Sequence, residues 1–138
     1  MKKSLESRLA KRIDRKRGNV FLRSDFSDLG GYDQVGRALR QLVLRGNLFR
    51  VSQGLYVRAR PSIIDGKPTP VKGLASLREA LSRVGVETVP SRLTEAYNAG
   101  RTTQVPTGRL VGVKRRVRRK IGYNGIYLSF ERAGPAPR

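Results

Sequence analysis

Between residues 33 and 45 the apolar side chains fall at Val35, Ala38, Leu39, Leu42 and Val43. This is the i, i+3, i+4, i+7, i+8 stripe of an amphipathic helix that must bury one side. At ~100° per residue, Asp33, Arg37, Arg40 and Gln41 lie on the opposite side, with Gln34 and Arg45 flanking them. Leu44 does not fit the stripe and points away from it. Gly30-Gly31 marks a turn before the helix, and Gly46-Asn47 closes it.

The neighbours of this helix narrow the fold. Upstream, Leu5, Leu9 and Ile13 predict a helix over 4–17, with Ser4 as N-cap, Glu6 in the first turn and Gly18 at C′. Residues 19–23 predict a short strand. Ser24 then caps a brief helix through about Leu29. Downstream, 48–58 reads as a hairpin closed by a three-residue loop, Ser52-Gln53-Gly54, with Gly54 in the left-handed position. Phe49, Val51, Leu55 and Val57 then share one face, and Arg50 and Tyr56 the other. Helix, short strand, short helix, turn, helix, hairpin is the order of a winged helix-turn-helix, here residues 1–60.

Pro61, Gly66, Pro68 and Pro70 mark residues 61–72 as a Pro-rich linker. An α+β C-terminal domain is expected over 73–132, followed by a flexible tail at 133–138. In that domain Leu74, Leu77, Leu81 and Val84 mark a helix closed by Gly85. Residues 86–89 read as a short strand, and Ser91 is expected to cap a helix through Asn98 that ends near Gly100. Strands follow near 103–105, 110–113, 117–123 and 126–131. Asn124-Gly125 is the preferred dipeptide of a two-residue type I′ hairpin. Its register sets Arg118 opposite Glu131 and puts Arg119 on the apolar face, where it must lie near a sheet end or snorkel. The fold class is therefore α+β: an N-terminal winged helix-turn-helix followed by a small α+β lobe with antiparallel β-hairpins.

The chain has 138 residues, with 30 Lys+Arg against 10 Asp+Glu, a net charge of +20. Residues 1–60 and 61–138 each carry 15 basic and 5 acidic residues, so the charge is not a basic tail on a neutral domain. There is no Cys and no His. That removes disulfides, thiolate zinc sites, the cysteine nucleophile and the usual acid/base residue near neutral pH. The carboxylates are scattered, and no Gly-rich stretch follows a strand to open a helix as a phosphate loop does. No apolar run approaches the ~18 residues of a membrane span. These features predict a cytoplasmic, nucleoid-associated protein with a polyanionic partner. It is expected to be no enzyme and to need no cofactor or metal.

The candidate DNA-binding residues are Ser24, Asp33, Gln34, Arg37, Arg40, Gln41, Arg45, Arg50 and Gln53. A helix can lie in the major groove, where Arg pairs bidentately with guanine and Gln with adenine, while a wing reaches flanking phosphates. The run Lys114-Arg115-Arg116-Val117-Arg118-Arg119-Lys120 supplies further candidate phosphate contacts at Lys114, Arg115, Arg116, Arg118 and Lys120. The same run also reads as a charged edge strand that blocks unwanted pairing. Two other functions suit the composition: a basic RNA- or ribosome-associated protein, and a winged-helix module that docks another protein.

The wing Arg50-Val51-Ser52-Gln53-Gly54-Leu55-Tyr56-Val57-Arg58 resembles that of the AbiEi-type antitoxins, whose wing carries a Gly, an apolar residue and a Tyr, matched by Gly54, Leu55 and Tyr56. The second half is similar to the rest of the group in its helix, strand, Pro90-Ser91, second helix, Thr103-Gln104-Val105-Pro106 and basic hairpin. The resemblance spans roughly 4–132. It implies a bacterial antitoxin and regulator that binds double-stranded repeats in its own promoter. It also implies opposition to a nucleotidyltransferase-like toxin without a stable complex between the two.

Overall fold

The structure, a computed structural model, describes residues 4–132, so the expected flexible tail at 133–138 lies outside the described residues. It is an α+β fold of four helices with mostly antiparallel strand pairing. Helix α1 (Leu5–Arg15) starts where expected, with the Ser4 hydroxyl accepting from the Ser7 amide at 3.1 Å, and it buries Leu9 and Ile13. Its end differs from expectation. Lys16 is already extended, and Gly18 takes no left-handed turn. A side chain distant in sequence does the capping: Arg58 Nη2 donates to the carbonyls of Ile13, Lys16 and Gly18 at 3.0, 3.1 and 3.2 Å.

Strand β1 (Val20–Leu22) leads into a single 3₁₀ turn, Arg23–Phe26. Ser24 is not its cap, because it sits exposed within the turn. Asp25 does that work, its Oδ2 accepting from the Leu22 amide at 3.0 Å. Helix α2 (Tyr32–Leu44) buries Val35, Ala38, Leu39 and Leu42 as the stripe requires, and Leu44 stays 68% exposed. The Gly30-Gly31 pair does not rely on positive φ. A Cβ on Gly30 would lie 3.3 Å from the Leu5 side chain, so close packing of α1 is what that position demands.

Strands β2 (Leu48–Ser52) and β3 (Leu55–Pro61) pair as Leu48↔Arg58, Phe49↔Val57 and Arg50↔Tyr56, the register of the three-residue loop. The ladder then shifts, and Ser52 pairs with Leu55. The connection is thus Gln53-Gly54, with φ +70° at Gly54, and the extra residue is absorbed as a bulge at Val51. That bulge lets Val51, Leu55 and Val57 share one core. β1 pairs antiparallel with β3 through Val20↔Val57, and β4 (Pro68–Pro70) pairs with the far end of β3 through Ala59↔Pro70. The stretch expected as a linker therefore contributes a strand.

The β1–β3–β2 sheet is buried on both faces. Phe21, Leu48 and Tyr56 join Leu9, Ile13, Phe26 and the α2 stripe in one core. Val20, Val51, Leu55 and Val57 join Leu77, Ala80, Leu81, Val111, Val113, Ile121 and Leu128 in the other. Arg50 and Tyr56 pair directly and so share the opposite face as expected, where Tyr56 is buried in the first core and Arg50 is exposed.

In the second half, α3 (Leu74–Arg83) closes on Gly85 at φ +82°. β5 (Thr88–Val89) precedes α4 (Arg92–Asn98), which Ser91 caps by accepting from the Thr94 amide at 3.1 Å. β6 (Leu110–Val113), β7 (Gly122–Tyr123), β8 (Ile126–Tyr127) and β9 (Ser129–Arg132) follow, and residues 103–105 form no strand. Asn124 and Gly125 have φ of 48° and 80°, as a type I′ turn requires, but the hairpin runs only from Gly122 to Tyr127. The chain leaves it at Leu128, and β9 pairs parallel with β6 through Leu110↔Ser129 to Val113↔Arg132. Residues 117–121 are not a strand, and Arg118 does not face Glu131. Glu131 instead accepts from the Arg92 amide at 2.8 Å. The apolar β6, whose Val111 and Val113 are buried, is the better partner for β9 than a run of like charges. Among the described residues no helix is long and apolar enough to cross a membrane.

Candidate nucleic-acid interface

The buried stripe of α2 fixes what its other side presents. Arg37, Arg40 and Gln41 are exposed, and among the described residues no carboxylate pairs with either arginine. Three other residues expected to read DNA are exposed but have partners within the protein. Gln34 Oε1 accepts from the Gly31 amide at 3.3 Å and so caps α2. Arg45 Nη1 lies 2.8 Å from Glu6 Oε1, out of line for a hydrogen bond, and ties the end of α2 to α1. Asp33 stands 3.8 Å from Arg23 Nη2 with its own side chain exposed. Arg50 and Gln53 are exposed on the β2–β3 hairpin, and Ser24 is exposed on the 3₁₀ turn.

Arg23 and Tyr32 hold the N-terminal end of α2, and neither was among the residues singled out from the sequence. Arg23 Nη2 and Nε donate to the Tyr32 carbonyl at 2.6 and 3.0 Å, and its guanidinium stacks 3.5 Å from the centroid of the Tyr32 ring. A Cβ at Gly36 would overlap that guanidinium. The signal was there to find: a glycine inside an exposed helix costs about 1 kcal/mol relative to Ala, so it marks a close approach. The Arg23 amide also donates to the Gly54 carbonyl at 3.1 Å, joining the start of α2 to the hairpin tip.

Asp25 braces this region from below. Its carboxylate accepts from Arg83 Nη2 at 2.6 Å and lies 3.6 Å from Lys16 Nζ, in addition to the Leu22 amide. Burial pushes its pKa up, but the Arg83 bond, the Leu22 amide and the charges of Lys16 and Arg83 outweigh that. The carboxyl is held below the ordinary aspartate range.

The basic run is split by its neighbours. Lys114 pairs with Glu87 at 3.2 Å, and Lys120 sits 4.2 Å over the Tyr127 ring. Arg115, Arg116 and Arg118 are exposed and line a cleft opposite the α3–β5 turn. Arg119, expected on an apolar face, instead reaches across to the hairpin, where its Nη1 donates to the Gln53 carbonyl at 2.9 Å. The tip Gln53-Gly54 is thus held by Arg23 on one side and Arg119 on the other.

Residues 8–136 match the model of a family of unknown function, DUF6088. The chain belongs to that family. The DUF6088 match takes in α2, the hairpin and the basic run together, so all three lie within the family's shared span. No curated protein and no solved structure matches the chain significantly.

Proposed function

We propose that this DUF6088 protein is a sequence-specific double-stranded DNA-binding regulator whose residues 1–60 act as a winged helix-turn-helix. Its specific form is an AbiEi-like antitoxin that represses its own promoter, with a nucleotidyltransferase-like toxin as functional rather than stably bound partner. The observation that carries this reading is the outward face of α2. Arg37, Arg40 and Gln41 stand there with no carboxylate partner among the described residues, on a helix whose start is pinned by Arg23. Bidentate readers on a rigid helix suit base edges in the major groove. Arg50 and the tip at Gln53 suit the duplex flank, where phosphate contacts fix register without reading sequence.

Salt separates charge from recognition. A +20 protein binds any duplex at low ionic strength. If about 5–8 phosphates are neutralised, the log–log salt slope is near −4.5 to −7. A regulator then keeps a cognate preference of at least ~10³ at about 200 mM salt. The test is a competition titration at that salt between the protein's own upstream DNA and scrambled duplex. Arg37→Ala and Arg40→Ala should each cost ~1–3 kcal/mol on cognate DNA and relax one position of the site. Equal competition by scrambled duplex, or full selectivity in both variants, sinks the reading. Stronger competition by structured RNA replaces it with the RNA-binding alternative.

A further inference from the structure

A cleft of about 510 Å³ separates the α3–β5 turn from the basic run. Val84, Val86 and Val117 line it as half-buried side chains packed against the core behind the sheet. Arg115, Arg116, Arg118 and Arg119 line it as well, and among the described residues none of the four pairs with a carboxylate. Glu87, the one carboxylate of the lining, is engaged by Lys114. The segment is not a strand, so charge here guards no sheet edge. Like charges this close repel one another, and a multivalent anion relieves that repulsion.

We propose that this cleft binds a phosphorylated small molecule of nucleotide size, its phosphates on the arginines and its apolar part against the three valines. The volume lies within the ~300–1,000 Å³ of small-ligand sites, whose usual make-up is apolar walls with a few convergent polar groups. A duplex is too large to enter a concavity of this size. Arg119 gives the site a consequence. It lines the cleft and also holds the Gln53 carbonyl at the hairpin tip. A phosphate offers Arg119 an opposite charge and a bidentate geometry that a neutral carbonyl lacks, so an occupied cleft draws Arg119 away and loosens the tip. The binding site stands independently of the DNA reading, and only this coupling to DNA affinity rests on it.

The experiment is calorimetric titration of the full chain at about 150 mM salt, which screens long-range attraction, with ATP, tripolyphosphate and adenosine as probes. ATP should bind one to one and more tightly than either fragment. The triple variant Arg115→Gln/Arg116→Gln/Arg118→Gln should weaken ATP by at least about tenfold, since each lost charge-assisted bond is worth that much. The charge-matched variant Arg37→Gln/Arg40→Gln/Arg50→Gln should leave ATP binding unchanged. Equal weakening by both variants, or tripolyphosphate binding as tightly as ATP, overturns the site in favour of generic anion attraction. Saturating ATP should also weaken duplex binding by wild type but not by Arg119→Gln. ATP binding with no effect on duplex affinity overturns the coupling alone. Unchanged cognate selectivity in the Arg37→Gln/Arg40→Gln/Arg50→Gln variant overturns the DNA reading and leaves the ATP result standing.

Discussion

The two faces of the β1–β3–β2 sheet are covered in different ways. One carries α1 and α2, which flank β1 and β2 in sequence and bury Leu9, Leu39 and Phe26 against Phe21 and Tyr56. The other carries α3 and the apolar residues of β6 and the β7–β8 region, all of them beyond residue 73. The helical face is built from regular periodicity. The far face combines one helix, α3, with two- to four-residue strands, of which β6 finds its partners β5 and β9 far along the chain. The difference teaches that the first 60 residues share one of their two cores with the second half. Val20, Val51, Leu55 and Val57 need the second half to leave water, and Arg83 clamps Asp25 across the same junction.

The largest effects should come from the two cores. Leu39→Ala and Leu81→Ala, one on each side, both remove fully buried side chains and should each cost ~2–5 kcal/mol. If the sheet couples its faces, each variant shows one thermal transition at a lowered midpoint. Two separate transitions, with only one moved by each substitution, would break the comparison by making the faces independent.

A smaller effect is expected at the junction. Asp25→Asn weakens the bonds to Arg83 and the Leu22 amide, at a cost of ~1–3 kcal/mol near neutral pH. Because the folded carboxyl is held below its unfolded value of about 3.9, its contribution is present above that pH. It is lost as pH falls through the lower folded value. Urea unfolding of wild type and variant should therefore differ near neutrality, and the gap should begin to close below about pH 4 and vanish only below the folded value. A gap that stays constant down to acid pH would mean that the ion pair does not join the halves.

The smallest effect belongs to the hairpin tip. Arg119→Gln removes one exposed hydrogen bond to Gln53 and should cost no more than ~1 kcal/mol of global stability. Amide exchange at residues 52–54 should nonetheless quicken, because local opening there no longer breaks the bond from the second half. Unchanged exchange would show that Arg23 alone fixes the tip.

Much of the first half was legible in the sequence because its determinants are local. Leu5, Leu9 and Ile13 set α1, the Val35–Val43 stripe set α2, and Ser4 and Ser91 capped their helices as hydroxyls do. Gly54, Gly85 and Asn124-Gly125 announced their turns through positive φ. The outward side of α2 followed from the same stripe, so Arg37, Arg40 and Gln41 could be picked out by period alone.

What stayed hidden depended on neighbours far along the chain. Arg58 replaced Gly18 at the end of α1 because a guanidinium from β3 reached three carbonyls. Gln34 and Arg45, though exposed, are tied to Gly31 and Glu6, which no local pattern announced. β9 chose β6 over the basic run, because strand pairing is decided by which apolar edge lies open after the rest has packed. The composition determined that this chain carries a large positive charge in both halves. Only the tertiary structure decided which cations are neutralised within the fold and which face outward, because that depends on distances between residues no local pattern relates.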